Sequence, residues 1–419
     1  MSSSAATDSR RGARSGAERW LARFETPLTT YYLLLGIVGA LVMIGLVMVL
    51  SASMIVSLKE HDASFAIFGK QALFAAIGAG ALWFAANRSI GFWRRLAVPL
   101  LLVSIVLLAV VAWTPLGTGF QGNKNWLTLG PLSLQPSELA KLGLALTGAV
   151  ILERKRALAG RLRHALIPFV IPLAAIVLGL VMYGHDLGTA MVIAAVVVGV
   201  LFAAGVPARW FVAGLAALGA LAAAAAQMSD NRMARIAIWL NPEQCAPTSE
   251  LYYGICQQPV HGKYALADGG WWGVGLGASR EKWGRLAEPY NDFIFAVIGE
   301  ELGLIGTFVV LALFGAFALT AVRLVARTDD LFVRLATAGI ATWILVQAIV
   351  NVGAVIGMLP VIGVPLPFVS SGGSSLVTTM LAVGVLLSFA RSEPGCVEAM
   401  SSRPSLLQRT AALVRRNPS

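Results

Sequence analysis

The sequence predicts an all-α polytopic membrane protein of about ten transmembrane helices, with a large extracytoplasmic loop between helices 7 and 8. Three observations lead there. The 419 residues are 57% apolar and only 13% charged, against about 25% charged in soluble domains. The apolar residues fall in blocks long enough to cross a hydrocarbon core of about 30 Å; 96–113 and 302–322 hold no charge at all. The cations collect on alternate connections between those blocks.

In chain order, residues 1–29 are polar and arginine-rich, without the apolar h-region of a secretory signal. They read as a disordered cytoplasmic tail. Ten spans follow near 31–56, 66–86, 96–113, 138–152, 165–183, 187–204, 210–227, 293–322, 332–357 and 375–390. The fourth is short for a crossing. Pro172 lies inside the fifth and should kink it. Residues 30–390 therefore form one membrane domain, with an outer loop at 228–291, and 391–419 form a second cytoplasmic tail.

Charge sets the orientation. With the N-terminus in the cytoplasm, the inner segments hold clusters such as Arg88, Arg94 and Arg95, then Arg154, Lys155 and Arg156, then Arg323, Arg327 and Arg334. The short outer loops hold little beyond Lys59 and Lys124. This is a positive-inside pattern with both termini cytoplasmic. The net charge of +11 then reflects topology and contact with anionic membrane lipid; no basic face is left over for nucleic acid.

Loops beyond about 15 residues are usually functional or disordered. The outer loop carries Trp239, Trp271, Trp272 and Trp283, which argues for order. Cys245 and Cys256 also lie there, on the oxidising side, so they are candidates for a disulfide pinning the loop; the alternative is two unpaired thiols. Two cysteines and a distant His261 do not make a zinc set.

Chemistry-bearing residues gather on the outer face. In Gln135-Pro-Ser-Glu-Leu-Ala-Lys141, Pro136 and Glu138 suit the first turn of a helix. Glu138 and Lys141 share a face and can pair as a structural ion pair. In Gly184-His-Asp-Leu-Gly-Thr189, Asp186 can cap the sixth helix. The glycine–tryptophan run from Asp268 to Ser279 lacks the spacing and the preceding strand of a dinucleotide loop. It could approach an anionic headgroup, or be an interfacial turn with aromatic anchors. Residues 357–375 are too apolar for a solvated loop and too rich in Pro and Gly for a helix. Such backbone at membrane depth must be buried in protein or line a watery cavity. Its amides, with Ser370, Ser371 and Ser374, could form an anion nest. Asp292 stands where the outer loop meets the eighth span, and Glu300 and Glu301 lie just inside it, free to pair across the bundle or to shape a cavity. Carboxylates at that depth persist when paired, hydrated or chemically employed.

A carboxylate at a cavity rim, among cations and a re-entrant loop, fits an anionic lipid-linked substrate. Pyrophosphate leaves well when cations receive it, and a hydroxyl acceptor needs a base. These residues alone leave a transporter open.

Together the motifs resemble the SEDS family (shape, elongation, division and sporulation proteins). The resemblance runs from Tyr31 to Ala390. It rests on Ser51-Ala-Ser53, Gln135–Lys141, Asp186-Leu-Gly-Thr189, Asn241-Pro-Glu243, the glycine–tryptophan loop, Asn291-Asp-Phe-Ile-Phe295 and Pro365–Ser375. Gly299-Glu-Glu-Leu-Gly303 is closer to the division branch than to the elongation branch. The resemblance implies a peptidoglycan glycosyltransferase that polymerises lipid II, with Asp292 as general base and undecaprenyl pyrophosphate as leaving group. It implies Lys124, Lys141, Arg232 and Arg235 as candidates to hold phosphates, and Mg²⁺ or Mn²⁺ as an accompanying cation. A class B penicillin-binding transpeptidase and other division proteins would be its partners, at the septal plasma membrane. The chain departs from the family pattern at Tyr290, where a histidine is usual, at Gly184-His185, where Gln-Pro is usual, and at Lys124-Asn125, where two arginines are usual. A lipid II flippase and a non-catalytic division scaffold are the alternatives; either would tolerate the loss of Asp292 as a base.

Overall fold

Inside a bilayer only helices and closed barrels satisfy every backbone group, and these apolar runs fold as helices. The computed structural model describes residues 28–61, 64–120, 123–129, 132–156, 167–207 and 230–393, with isolated positions between 209 and 219 and Cys396. The helices are α1 (Thr29–His61), α2 (Ala66–Ala86), α3 (Ile90–Trp113), α4 (Pro136–Arg154), α5 (Ala175–Tyr183), α6 (Leu187–Ala203), α7 (Asp230–Leu240), α8 (Gln257–Gly269), α9 (Ile294–Arg327), α10 (Leu331–Val355) and α11 (Ser374–Ala390). Nine of the ten expected spans coincide with helices among the described residues. The seventh, 210–227, and the two tails lie almost wholly outside them.

Five helices are long and apolar enough to cross a membrane: α1 over Thr29–Met54, then α2, α3, α9 and α10. The shorter apolar helices are Phe169–Tyr183, Leu187–Ala203 and Ser374–Ala390. Ahead of α5, Phe169–Ala174 forms a π-helical turn, and Ile171, just before Pro172, has φ −118° and ψ 117°. The helix is therefore broken where proline removes a donor and crowds the preceding turn.

α10 is the central element, packed against α4, α6 and α9. α11 packs along α2, and α9 against α1 and α8. At the arginine-rich end, Arg94 of α3 pairs with Glu153 of α4 at 3.0 Å and with Asp330 at 2.9 Å. Asp330 also caps α10. These groups are about a third exposed, so they set register between helices more than they add stability.

An all-helical expectation is corrected between α3 and α4. There β1 (Gly117–Phe120), β2 (Asn123–Leu129) and β3 (Leu132–Leu134) form an antiparallel sheet in that order. Trp126 and Thr128 alternate with Leu127, which is 5% exposed, and Thr118 and Thr128 bond across the strands at 2.6 Å. Short alternation inside this connection is the period-two signal of a strand.

The outer loop is ordered by α7, α8 and a 3₁₀ turn at Pro242–Cys245. Cys245 and Cys256 are bonded, with Cα atoms 5.6 Å apart, and pack with Ile238 of α7. The glycine run then enters a break in α9. Gly303 has φ +67° and ψ −165°, which interrupts the helical ladder. The loop mends it: Val274 N–H donates to Glu300 O at 2.9 Å and Gly275 N–H to Glu301 O at 3.1 Å, while Leu304 N–H donates to Gly270 O at 2.9 Å. A side chain on Gly303 would sit 2.4 Å from the Gly273 nitrogen. The glycines serve this backbone splice.

Candidate active site

The outer loop delivers Asp292 two residues before α9, where the re-entrant segment meets it. Asn351 of α10 donates to Asp292 O and to Val364 O, both at 2.8 Å. Ser370 Oγ donates to Asn291 O at 2.7 Å and accepts from Leu366 N–H at 2.8 Å. Ser371 N–H donates to Tyr290 O at 3.0 Å. Gln71 of α2 donates to Ser370 O at 3.2 Å, and Gln347 of α10 to Pro365 O at 3.1 Å. The irregular backbone is thus satisfied by side chains of neighbouring helices, as burial at this depth requires. Gly363, with φ +77°, lies under the Asp292 carboxyl; a Cβ there would be 3.5 Å from Oδ2.

Burial pushes the Asp292 carboxyl up to about 7; Glu288 raises it further, Arg235 opposes the rise, and Asp186 adds to it. The result is a carboxylate poised near neutrality, where a general base works best. Arg235 of α7 donates to Gln258 at 3.2 Å and to Val361 O of the re-entrant segment at 3.4 Å. Burial lowers its guanidinium below the ordinary value, and Asp292 counteracts this.

Asp186 caps α6 through Thr189 N–H at 2.9 Å and accepts from Gln135 at 3.2 Å. Gln135 N–H donates to Ser374 Oγ at 3.1 Å. Asp186, Gln135 and Ser374 therefore tie the starts of α4, α6 and α11 together beside Asp292. Arg232 donates to His185 O in the same region.

Two candidate phosphate cations are otherwise engaged. Lys141 pairs with Glu138 at 2.8 Å, both nearly inaccessible, and also donates to Gln347 at 3.1 Å, 4.8 Å above the Trp343 ring. It holds the bundle interior, and through Gln347 it reaches the re-entrant segment. Lys124 donates to Thr114 O at 2.8 Å and Ala112 O at 3.5 Å, a cation on the carbonyl end of α3. Both glutamates inside α9 are hydrogen-bonded, and Glu301 is also ion-paired. Glu300 accepts from Ser279 Oγ, from Arg280 N–H at 2.6 Å and from Glu281 N–H at 3.4 Å. Glu301 accepts from Lys282 and Ser51.

Sequence reasoning missed Glu288, Gln347 and Asn351. A buried amide in an apolar span is a functional signal in itself, and Asn351 carried it unnoticed. Among the described residues no three His, Cys, Asp or Glu side chains cluster as a metal site, and Asp186 is committed to its cap. Among the described residues these donors do not make a site for a resident divalent cation.

Helices long and apolar enough to cross a membrane, with a base-like carboxylate at the start of α9, define a class of multi-pass membrane protein. The family described as cell cycle protein, covering FtsW, RodA and SpoVE, matches residues 31–394. The chain belongs to this SEDS family. The probable peptidoglycan glycosyltransferase FtsW of Mycobacterium tuberculosis is 40% identical over 91% of this chain and 71% of its own length. Stage V sporulation protein E of Bacillus subtilis is 36% identical over 87% of this chain and 98% of its own. Among solved structures, a chain of a peptidoglycan synthase complex that coordinates polymerization and crosslinking superposes with TM-score 0.68 at 29% identity, over 85% of this chain and 96% of that one. Rod shape determining protein RodA of Thermus thermophilus superposes with TM-score 0.62 at 29% identity, over 86% and 96%.

Proposed function

We propose that this chain is a peptidoglycan glycosyltransferase, a SEDS polymerase of the division branch that pairs with a transpeptidase. It extends glycan strands from lipid II at the septal plasma membrane. The observation that carries the reading is Asp292, whose carboxyl burial pushes up to about 7 and whose backbone carbonyl accepts from Asn351 beneath the re-entrant segment.

Asp292 accepts the proton of the acceptor 4-hydroxyl as that oxygen attacks the anomeric carbon of the growing strand. The new C–O bond forms with inversion, and the old bond to undecaprenyl pyrophosphate breaks, its electron pair leaving with the phosphate. Negative charge therefore grows on the leaving group as the base becomes neutral. Arg235 stands beside Asp292 to oppose that charge, and Arg232 is the second cation of α7; cations aimed at developing charge are the larger part of such catalysis. Lys141 supports the re-entrant segment through Gln347, while Lys124 is engaged at the end of α3. With ten spans and both termini in the cytoplasm, the reading that the positive-inside charge pattern supports, this chemistry would lie on the outer face. A class B penicillin-binding transpeptidase would dock on the late spans and the outer loop, where Trp272 and Tyr253 are more than four-fifths exposed.

The test is polymerisation of lipid II by the purified chain with its transpeptidase partner, for wild type and Asp292→Ala. Polymer from wild type alone, with the mutant folded and partner-bound, supports the reading. Equal polymer from both removes the chemistry from Asp292. None from either brings forward the flippase and scaffold alternatives.

A further inference from the structure

The pairing of Glu301 has a topological consequence. Lys282 Nζ donates to Glu301 Oε1 at 2.7 Å and to Ser51 Oγ at 3.0 Å. Ser51 Oγ lies 2.7 Å from both Glu301 oxygens. The Lys282 side chain is 4% exposed and that of Glu301 fully buried. Lys282 precedes Asp292 on the incoming loop, Glu301 follows it on α9, and Asp292 lies midway between them. The ion pair therefore closes a ring of chain with the base opposite the closure. The Glu300 bonds to Ser279, Arg280 and Glu281 double the closure, and Ser51 fastens it to α1.

We propose that Lys282, Glu301 and Ser51 form a clamp that positions Asp292 for proton transfer. This rests on the reading of Asp292 as the base. The three are positioning residues, because they meet neither the carboxyl nor the space in front of it among the bonds described. The other side of the ring is held by Asn351 and Ser370, so the base is fixed at its own backbone and at both ends of its segment. A buried charge pair is a weak source of stability but a strong constraint on geometry when each partner has no other place to go. Displacing a catalytic group by about 1 Å can cost on the order of a hundred-fold in rate.

The experiment uses the full chain with its transpeptidase partner and lipid II. The variants are Lys282→Met/Glu301→Gln, which leaves no unpaired charge in the interior, and Ser51→Ala, which removes only the bridge to α1. The expected result for the double variant is a kcat lowered by about ten-fold or more with KM within about two-fold of wild type. The pH midpoint of kcat/KM also moves, because Asp292 shifts relative to Arg235, Glu288 and Asp186, the charged groups around it. Ser51→Ala shows the same pattern at smaller size, about three-fold in kcat. A purely structural role would lower melting temperature and active fraction without moving that midpoint. Wild-type kcat and midpoint in the double variant overturn the clamp. If the double variant does not fold, an unchanged kcat and midpoint in Ser51→Ala overturn it instead. Asp292→Asn runs in parallel: an active Asp292→Asn defeats the base assignment, whereas an inactive one beside wild-type clamp variants defeats the clamp alone.

Discussion

In its proposed role as base, Asp292 carries a carboxyl that burial pushes up to about 7. A base acts when deprotonated, so kcat/KM should rise with pH through about 7 and level off above it. Arg235 opposes the upward shift, so Arg235→Gln should move that limb to higher pH, which a pH–rate series reads directly. The same shift has a cost in stability. The folded-state pKa lies above the ordinary 3.8, so the folded protein binds more protons than the unfolded chain between roughly pH 4 and 7, and stability falls as pH rises through that window. Asp292→Asn should therefore melt higher than wild type at pH 8, by about 2 kcal/mol allowing for solvent screening at a partly exposed site. The gain should vanish near pH 4. The position of Asp292 was legible in the sequence because a carboxylate at the start of an apolar span needs a reason. Glu288 and Asn351, which tune and hold it, were not, because their roles depend on contacts between segments far apart in the chain.

At the scale of elements, the apolar runs were legible and the irregular pieces were not. A span announces itself by length and by scarcity of charge, and α2, with Lys70 alone inside it, matches the expected 66–86 at both ends. The break in α9 gives no such sign: its apolar run continues past Gly303 without interruption, and only the partner loop makes the break tolerable. Gly303→Ala should cost about 1–3 kcal/mol, since a positive φ and a backbone contact must both be accommodated, and thermal melting in detergent measures it. The strands between α3 and α4 were hidden for a different reason. Their pattern spans only a few residues, and short segments draw their preference from pairing rather than from intrinsic propensity.

Across the whole molecule, polar groups in the interior form connected sets rather than isolated pairs. Lys141, Glu138, Gln347 and Trp343 join α4 to α10, and Gln347 carries the connection on to the re-entrant segment. The pairing of Glu138 with Lys141 followed from spacing alone; its reach across the bundle did not. Lys141→Met leaves the Glu138 carboxylate unpaired in the interior and should cost about 3–5 kcal/mol, while Lys141→Met/Glu138→Gln should recover most of that. A double-mutant cycle on thermal stability checks both values. The splice at Gly303 bears on how such a molecule is made. Synthesis delivers residues 269–275 before 300–305, so the strip that receives the broken helix is made before that helix. Chain order and assembly order agree, and the outer third of α9 can settle as soon as it is inserted. A circular permutant beginning after the glycine run would reverse the sequence of arrival, leaving the gap in α9 exposed to lipid until the last stretch of polypeptide came to close it.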